Sequence, residues 1–396
     1  MGNSFLIVVL PLYIASDAIS GSFFGLKESL ITGLILGVFG LITSFAQPFA
    51  GRLSDKLGKR KLLVVVGLLL FTIANFLYSF ADTYALIFLV RTLQGFAAAF
   101  TITASLALVS EVSIRSTRGN NMGVYNTFRL IGFGLGPLGS GFLVENGPYH
   151  IPFFGSIDGF VAAFVIAAFT ALLSAVLVSV FVSDPDDIEP SKSKMKIRLL
   201  SADSDRILDP IFALALATLV MSFGFSLLAP IETVLNERLS QGPLMFSLEF
   251  SALIAALAIS QPIFGKASDR HGRRIFIVIG LSCLIPIVLL EGLVVEPWQL
   301  ITARALQGVS AAMVFAPSLA LAGDLAEKDQ AGSQLSIVTM AFGLGISLGS
   351  FVSGYAIRFG FVTPFLIGSI LAALGLIVVR TQVPKNVDEQ VANKSD

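Results

Sequence analysis

Residues Gly51–Arg60 read GRLSDKLGKR, and residues Gly265–Arg274 read GKASDRHGRR. The copies lie 214 positions apart, and each separates two long apolar runs. The match extends outward. Gln47-Pro48 precedes the first copy, and Gln261-Pro262 precedes the second at the same spacing. RTLQG (Arg91–Gly95) follows the first and RALQG (Arg304–Gly308) the second; FGLG recurs at Phe133–Gly136 and Phe342–Gly345. Short motifs repeated in constant order imply a duplicated half-chain.

The medium between these motifs is apolar. Of 396 residues, 55% are hydrophobic and 13% charged, and mean hydropathy is +0.85. Soluble domains carry about 25% charged residues, so this chain could not cover a water-exposed surface and the bilayer is its expected solvent. A spanning helix needs about 20 apolar residues, and eleven such runs lie between about 30 and 381. They are long and continuous, which suits helices; barrel strands would be short and alternating. Met1–Pro11 is too short to span. Its counterpart, Pro210–Pro230, suggests a first helix shortened by about ten residues, with a stub as the alternative; no signal-peptide pattern is evident. The expected fold is all-α: twelve transmembrane helices in two six-helix bundles, 1–183 and 209–382, joined by a cytoplasmic linker, 184–208, and ending in a tail, 383–396. A short surface helix is possible around Met195–Leu200.

Of the 26 Lys and Arg residues, 20 fall on one side of the runs and three (Lys27, Arg238, Arg358) on the other, with Arg91, Arg129 and Arg304 inside spans. Positive residues favour the cytoplasmic side, which places both termini and both decapeptides in the cytoplasm and the chain in the plasma membrane. Zero net charge gives no support for a nucleic-acid partner. The lone Cys283 and the separated His150 and His271 offer no metal cluster, and no G-x4-GK[ST] loop appears, so ATP is not the expected energy source. Neither cofactor nor enzymatic chemistry is expected.

These motifs resemble the major facilitator superfamily over nearly the whole chain. Its loop pattern is matched by Gly51, Leu53, Asp55, Gly58 and Arg60, with Lys56 and Lys59 in place of arginines. The second copy matches at Gly265, Asp269, Arg270, Gly272, Arg273 and Arg274, with Ala267 in place of leucine. Two equally oriented repeats are one arrangement found in secondary transporters. The resemblance implies that the loops hold the bundles shut at the cytoplasmic side in one conformation: Asp55 facing the start of the eleventh span near Gly332–Leu335, and Lys59 pairing with Glu111. The repeat then predicts a matching cluster of Asp269, Arg273 and Asp324. The alternative is a loop that only sets topology.

Gly123, Gly132, Gly136, Pro137 and Gly141 resemble the antiporter motif of the fifth helix, with Ser140 in one glycine position. Ile346 stands where Pro137 would repeat, so the proline belongs to one half only, as in exporters of this family. Ionisable groups inside spans are costly and usually face a cavity. Arg91, Gln94, Asn126, Arg129, Arg304 and Gln307 are therefore expected to line a central path, with interhelical bonding or snorkelling as the alternative. Asp17 and Glu232 are the candidate proton carriers; Glu291 and Asp158 read as interfacial, and no acid reads as central. The expected function is proton-coupled efflux, by a monomer, of small lipophilic or amphipathic compounds from a Phe-lined cavity. Uptake of a sugar or organic anion, and a non-transporting scaffold or sensor, are the alternatives.

Overall fold

A computed structural model describes residues 2–113, 118–151, 155–184, 199–201, 206–326 and 331–384. Its helices are α1 (Gly2–Ile14), α2 (Glu28–Leu57), α3 (Arg60–Leu77), α4 (Tyr84–Val112), α5 (Arg118–Asn146), α6 (Gly159–Phe181), α7 (Pro210–Phe225), α8 (Glu232–Leu239), α9 (Pro243–His271), α10 (Arg273–Glu291), α11 (Pro297–Leu325), α12 (Ala331–Ala356) and α13 (Thr363–Gln382). A small hairpin, β1 (Tyr149–Ile151) with β2 (Gly155–Ile157), links α5 to α6. Among the described residues eleven segments are long and apolar enough to cross a membrane; α7 and α8 together form one, and α1 is a shorter apolar helix. Of the possible surface helix near 195–200 only Leu199 and Leu200 are described, and Leu200 pairs with Leu208 in an extended bridge instead.

The duplication is visible in packing. Gly67 on α3 lies against α4, where an added Cβ would meet Ala97 O at 2.9 Å; Gly280 on α10 lies against α11, where it would meet Ser310 O at 2.7 Å. The two glycines are 213 positions apart and let equivalent helix pairs approach to backbone contact. Each basic decapeptide turns on a positive-φ glycine, though with different ψ (12° at Gly58, 122° at Gly272). Gly58 (φ 62°) and Gly272 (φ 93°) take positive φ, which glycine adopts without steric cost, and their N–H groups return to Ser54 O and Ser268 O. Asp158 and Asp209 cap α6 and α7 by accepting backbone N–H bonds.

The two halves meet along α2–α12 and α5–α9. Both seams are tight at the end opposite the basic hairpins, here the far end. Ser29 Oγ donates to Gly354 O (3.3 Å), and added Cβ atoms at Gly33, Gly37 and Gly40 would stand 2.6 Å from Ser350 O, 2.9 Å from Ser347 O and 2.7 Å from Gly343 O. On the other seam the Glu145 carboxylate accepts from Leu244 N (2.9 Å) at the N-terminus of α9, where the helix dipole favours an anion. Ser251 Oγ donates to Gly134 O (2.7 Å), and Asn126 Nδ2 to Gln261 Oε1 (3.3 Å). Nearer the basic end, Gly123 and Gly265 have nothing within 4 Å of a would-be Cβ. Close backbone approach between the halves is thus concentrated at the far end, while nearer the basic hairpins the Asn126–Gln261 side-chain bridge links them.

Candidate functional site

The seventh span is broken. α7 ends at Phe225, a 3₁₀ turn covers Ala229–Ile231, and α8 restarts at Glu232. Pro230, which has no N–H to donate, sits in the turn. Carbonyls released by the break find side-chain partners: Phe225 O accepts from Arg304 Nη2 (3.3 Å), and Leu227 O accepts from Ser353 Oγ. Discontinuous helices of this kind commonly build ion and substrate sites in transporters.

Around the break the second half buries three carboxylates. Glu232 on α8, Glu249 on α9 and Glu291 on α10 are each 0% exposed. No oxygen of the three meets hydrogen-bond geometry with a partner. Asn236 lies beside Glu232, and Gln241 beside Glu249. The nearest cation is Arg304 on α11, itself 1% exposed, whose Nη1 is 3.8 Å from Glu291 Oε1 and 2.6 Å from Gln307 Oε1. A buried charge needs a partner or a proton, and one guanidinium can balance one carboxylate of three.

The first half has the same frame without the acids. Arg91 Nη1 donates to Gln94 Oε1 (2.9 Å), Tyr78 O–H donates to the same oxygen (3.0 Å), and Gln94 Nε2 donates to Asn75 Oδ1 (2.6 Å). The Arg91 guanidinium lies 4.5 Å from the centre of the Phe39 ring. Tyr78 stands at the repeat position of Glu291, and Ile35 at that of Glu249.

Several expectations change here. Arg91, Gln94, Arg304 and Gln307 do not line an open path in this conformation; all four are buried inside their own halves, bonded to their own and neighbouring helices. Arg129 is exposed on α5, with Nη2 3.0 Å from Asn126 Oδ1, beside the Asn126–Gln261 bridge between halves. Asp17 is exposed in the loop after α1, whereas Glu232 is fully buried. Glu291 is buried rather than interfacial, because the α10 end that carries it folds against Arg304. Glu249 has no signal in the sequence beyond being an acid about six residues into an apolar run; alignment of the halves, which sets it against Ile35, is what singles it out.

At the basic end, Glu111 pairs with Arg60 rather than Lys59. Arg60 is 4% exposed, with Nη2 2.8 Å from Glu111 Oε1 and 2.7 Å from Asp55 Oδ1, and Nη1 2.7 Å from Ser54 Oγ. Lys59 is the exposed N-cap position of α3. Asp55 is thus taken up within its own hairpin; Gly332, part of its expected counterpart, has no described side chain. In the second half Arg273 bridges Asp269 (3.0 Å) and Asp324. The glycine motif on α5 packs two ways. Gly132 O accepts from Ser4 Oγ of α1 (3.0 Å), while Gly141 lies against Pro243 and Ser247 of α9 in the other half. Pro137 and Gly136 are buried between these contacts; Gly123 makes no close approach.

Comparison with known proteins agrees with this architecture. The profile of the Major Facilitator Superfamily matches residues 1–213 and again 214–395. Quinolone resistance protein NorA of Staphylococcus aureus (strain MRSA252) is 30% identical over 154 residues, 39% of this chain and 37% of that protein. The matched stretch is thus little more than a third of that relative. Multidrug resistance protein 2 of Bacillus subtilis (strain 168) is 23% identical over 278 residues, 69% of this chain and 65% of that protein. A bacterial homolog of the human lysosomal transporter Spinster, solved inward-facing and occupied, superposes with a TM-score of 0.74 at 14% identity, over 96% of this chain and 93% of that one. Its unoccupied form gives 0.71. With a duplicated helical frame, hairpins at both repeat positions and both halves matched by one profile, this multi-pass membrane chain belongs to the major facilitator superfamily of transporters.

Proposed function

We propose that this chain exports small lipophilic or amphipathic compounds across the plasma membrane in exchange for protons. The observation that carries the reading is the buried set Glu232, Glu249 and Glu291 against the single Arg304, at the break in the seventh span. An electroneutral cluster there holds two protons or an equivalent cation, and it can release them when the surrounding seam opens to water. The glycine–proline pattern on α5 and the names of the two relatives support the outward direction.

In this reading the basic end faces the cytoplasm, with both termini there, and the two halves, 1–183 and 209–382, rock about the central seam. The conformation described, zipped at the far end, is then the cytoplasm-open state, and the alternate state unzips α2 from α12 and α5 from α9. Reconstituted vesicles with an imposed proton gradient test the proposal. A fluorescent amphipathic cation should move against the proton flow and stop when an uncoupler is added. Movement that continues unchanged without a gradient would exclude proton coupling; movement only with the proton flow would exchange export for uptake.

A further inference from the structure

The two corners where a basic hairpin meets the last helix of its half differ in charge balance. At the α3–α6 corner the chain supplies its own anions: the Asp184 carboxylate accepts from Lys61 N (2.7 Å), and Arg60 is held by Asp55 and Glu111. At the α10–α13 corner Arg273 is held in the same way by Asp269 and Asp324, but the cations beyond it gather without an acid among the described residues. Arg274 Nη2 donates to the Arg380 carbonyl (2.6 Å), while Arg274 Nε is buried without a partner. Among the described residues, Arg380 and Arg206 act on Arg274, both of like sign. Arg206 is held close because Ile207 N and Leu208 N both donate to Gln382 Oε1 (2.9 Å each) at the end of α13, and Arg206 Nη1 is likewise buried without a partner.

Between α10 and α13 lies a cleft of about 380 Å³, lined by Arg274, Ile275, Val278, Ile279 and Arg380. Ile275 is 54% and Ile279 43% exposed on a membrane-spanning helix, so the apolar wall of the cleft continues onto the lipid-facing surface. Leu199, Leu200 and Ile207 of the adjoining bridge are also exposed apolar side chains. Three like charges, two of them with an unmet buried donor, ask for an anion, and an apolar wall running into the bilayer asks for one attached to a hydrocarbon chain.

We propose that this cleft binds the phosphate headgroup of an anionic phospholipid from the leaflet at the basic end, its acyl chain lying along Ile275 and Ile279. The lipid supplies at this corner the anion that Asp184 provides in the first half. It also ties the segment before α7 to α10 and α13, the frame of the half that carries the buried carboxylates.

The test uses the full chain in nanodiscs of phosphatidylcholine, titrated with phosphatidylglycerol, and reads melting temperature and lipid retained in native mass spectra. Phosphatidylglycerol should raise the melting temperature and remain bound. Arg380→Gln, at an exposed side chain, should weaken retention about fivefold, and Arg274→Gln with Arg380→Gln by about the square of that. Equal retention in the double variant would overturn the site. Inorganic phosphate reproducing the whole stabilisation without the anionic lipid would overturn the lipid assignment. If the double variant fails to fold, Arg380→Gln alone decides: retention equal to the parent refutes the proposal.

Discussion

Arg304 Nη1 stands 3.8 Å from the Glu291 carboxylate, both side chains fully enclosed, while 213 positions earlier the equivalent Arg91 shares Gln94 with the neutral Tyr78. One duplicated frame has therefore diverged into a neutral half and an acidic half. In the first, Arg91, Gln94, Tyr78 and Asn75 form a bonded chain and the arginine lies over Phe39. In the second, Glu232, Glu249 and Glu291 outnumber their cation. In the function proposed above, the first half holds the frame and the second half binds the protons.

Removing a carboxyl's capacity to ionise tests that division. Glu232→Gln, Glu249→Gln and Glu291→Gln keep shape and remove the buried charge. At least one should lower gradient-driven transport about tenfold or more. Glu232→Gln and Glu249→Gln should leave the melting temperature unchanged or raised, because an unpaired buried carboxylate is costly, whereas Glu291→Gln should lower it, because Arg304 loses its paired anion. Transport assays in inverted vesicles beside thermal melts read both. Full proton-driven activity in all three variants would remove the cluster from the coupling path.

The reciprocal change should hurt the fold. Arg304→Met leaves Glu291 without its cation, and breaking a buried pair from one side costs about 3 kcal/mol or more. Adding Glu291→Gln to Arg304→Met should restore most of the loss. Arg91→Met, which removes a cation bonded to the neutral Gln94 and Tyr78, should gain nothing from Tyr78→Phe. A double-mutant cycle by thermal or denaturant melting measures the coupling, and strict additivity of Arg304→Met with Glu291→Gln would contradict it.

The far-end seam depends on missing side chains. A Cβ at Gly40 would sit 2.7 Å from Gly343 O and one at Gly37 2.9 Å from Ser347 O, closer than real contacts allow. Gly40→Val should hold α2 off α12 and favour the conformation open at the far end. A cysteine placed at Ser29, which bonds to Gly354 across the seam, should then react severalfold faster with a membrane-impermeant maleimide. Unchanged labelling with normal transport would show that the seam is not a closing surface.

The basic hairpin makes a finer distinction. Arg60 forks onto Glu111 and Asp55 from a nearly enclosed position, while its neighbour Lys59 is exposed. Arg60→Lys loses the planar fork and should weaken the hairpin by about 1–3 kcal/mol; Lys59→Gln should stay within about 0.5 kcal/mol of the parent. Proteolysis within 57–61 in detergent, read as cleavage rate, separates them. Equal rates would place the clamp elsewhere.

The sequence by itself determined the membrane solvent, the eleven long spans, the duplication and the family. These rest on local quantities: run length against bilayer thickness, and motif order along the chain. It also marked Arg273, Asp269 and Asp324 as one group, which the structure brings together. Tertiary structure alone decided which of two adjacent basic residues, Lys59 or Arg60, turns inward, because one step along a helix rotates a side chain by about 100° and the facing helix selects between them. It also decided that Glu291, near the end of an apolar run, is sealed rather than interfacial, and that Glu249 is buried with it. Depth along a helix can be read from sequence, but burial depends on what packs alongside, and here that is Arg304, the broken seventh span and the far-end closure of the two halves.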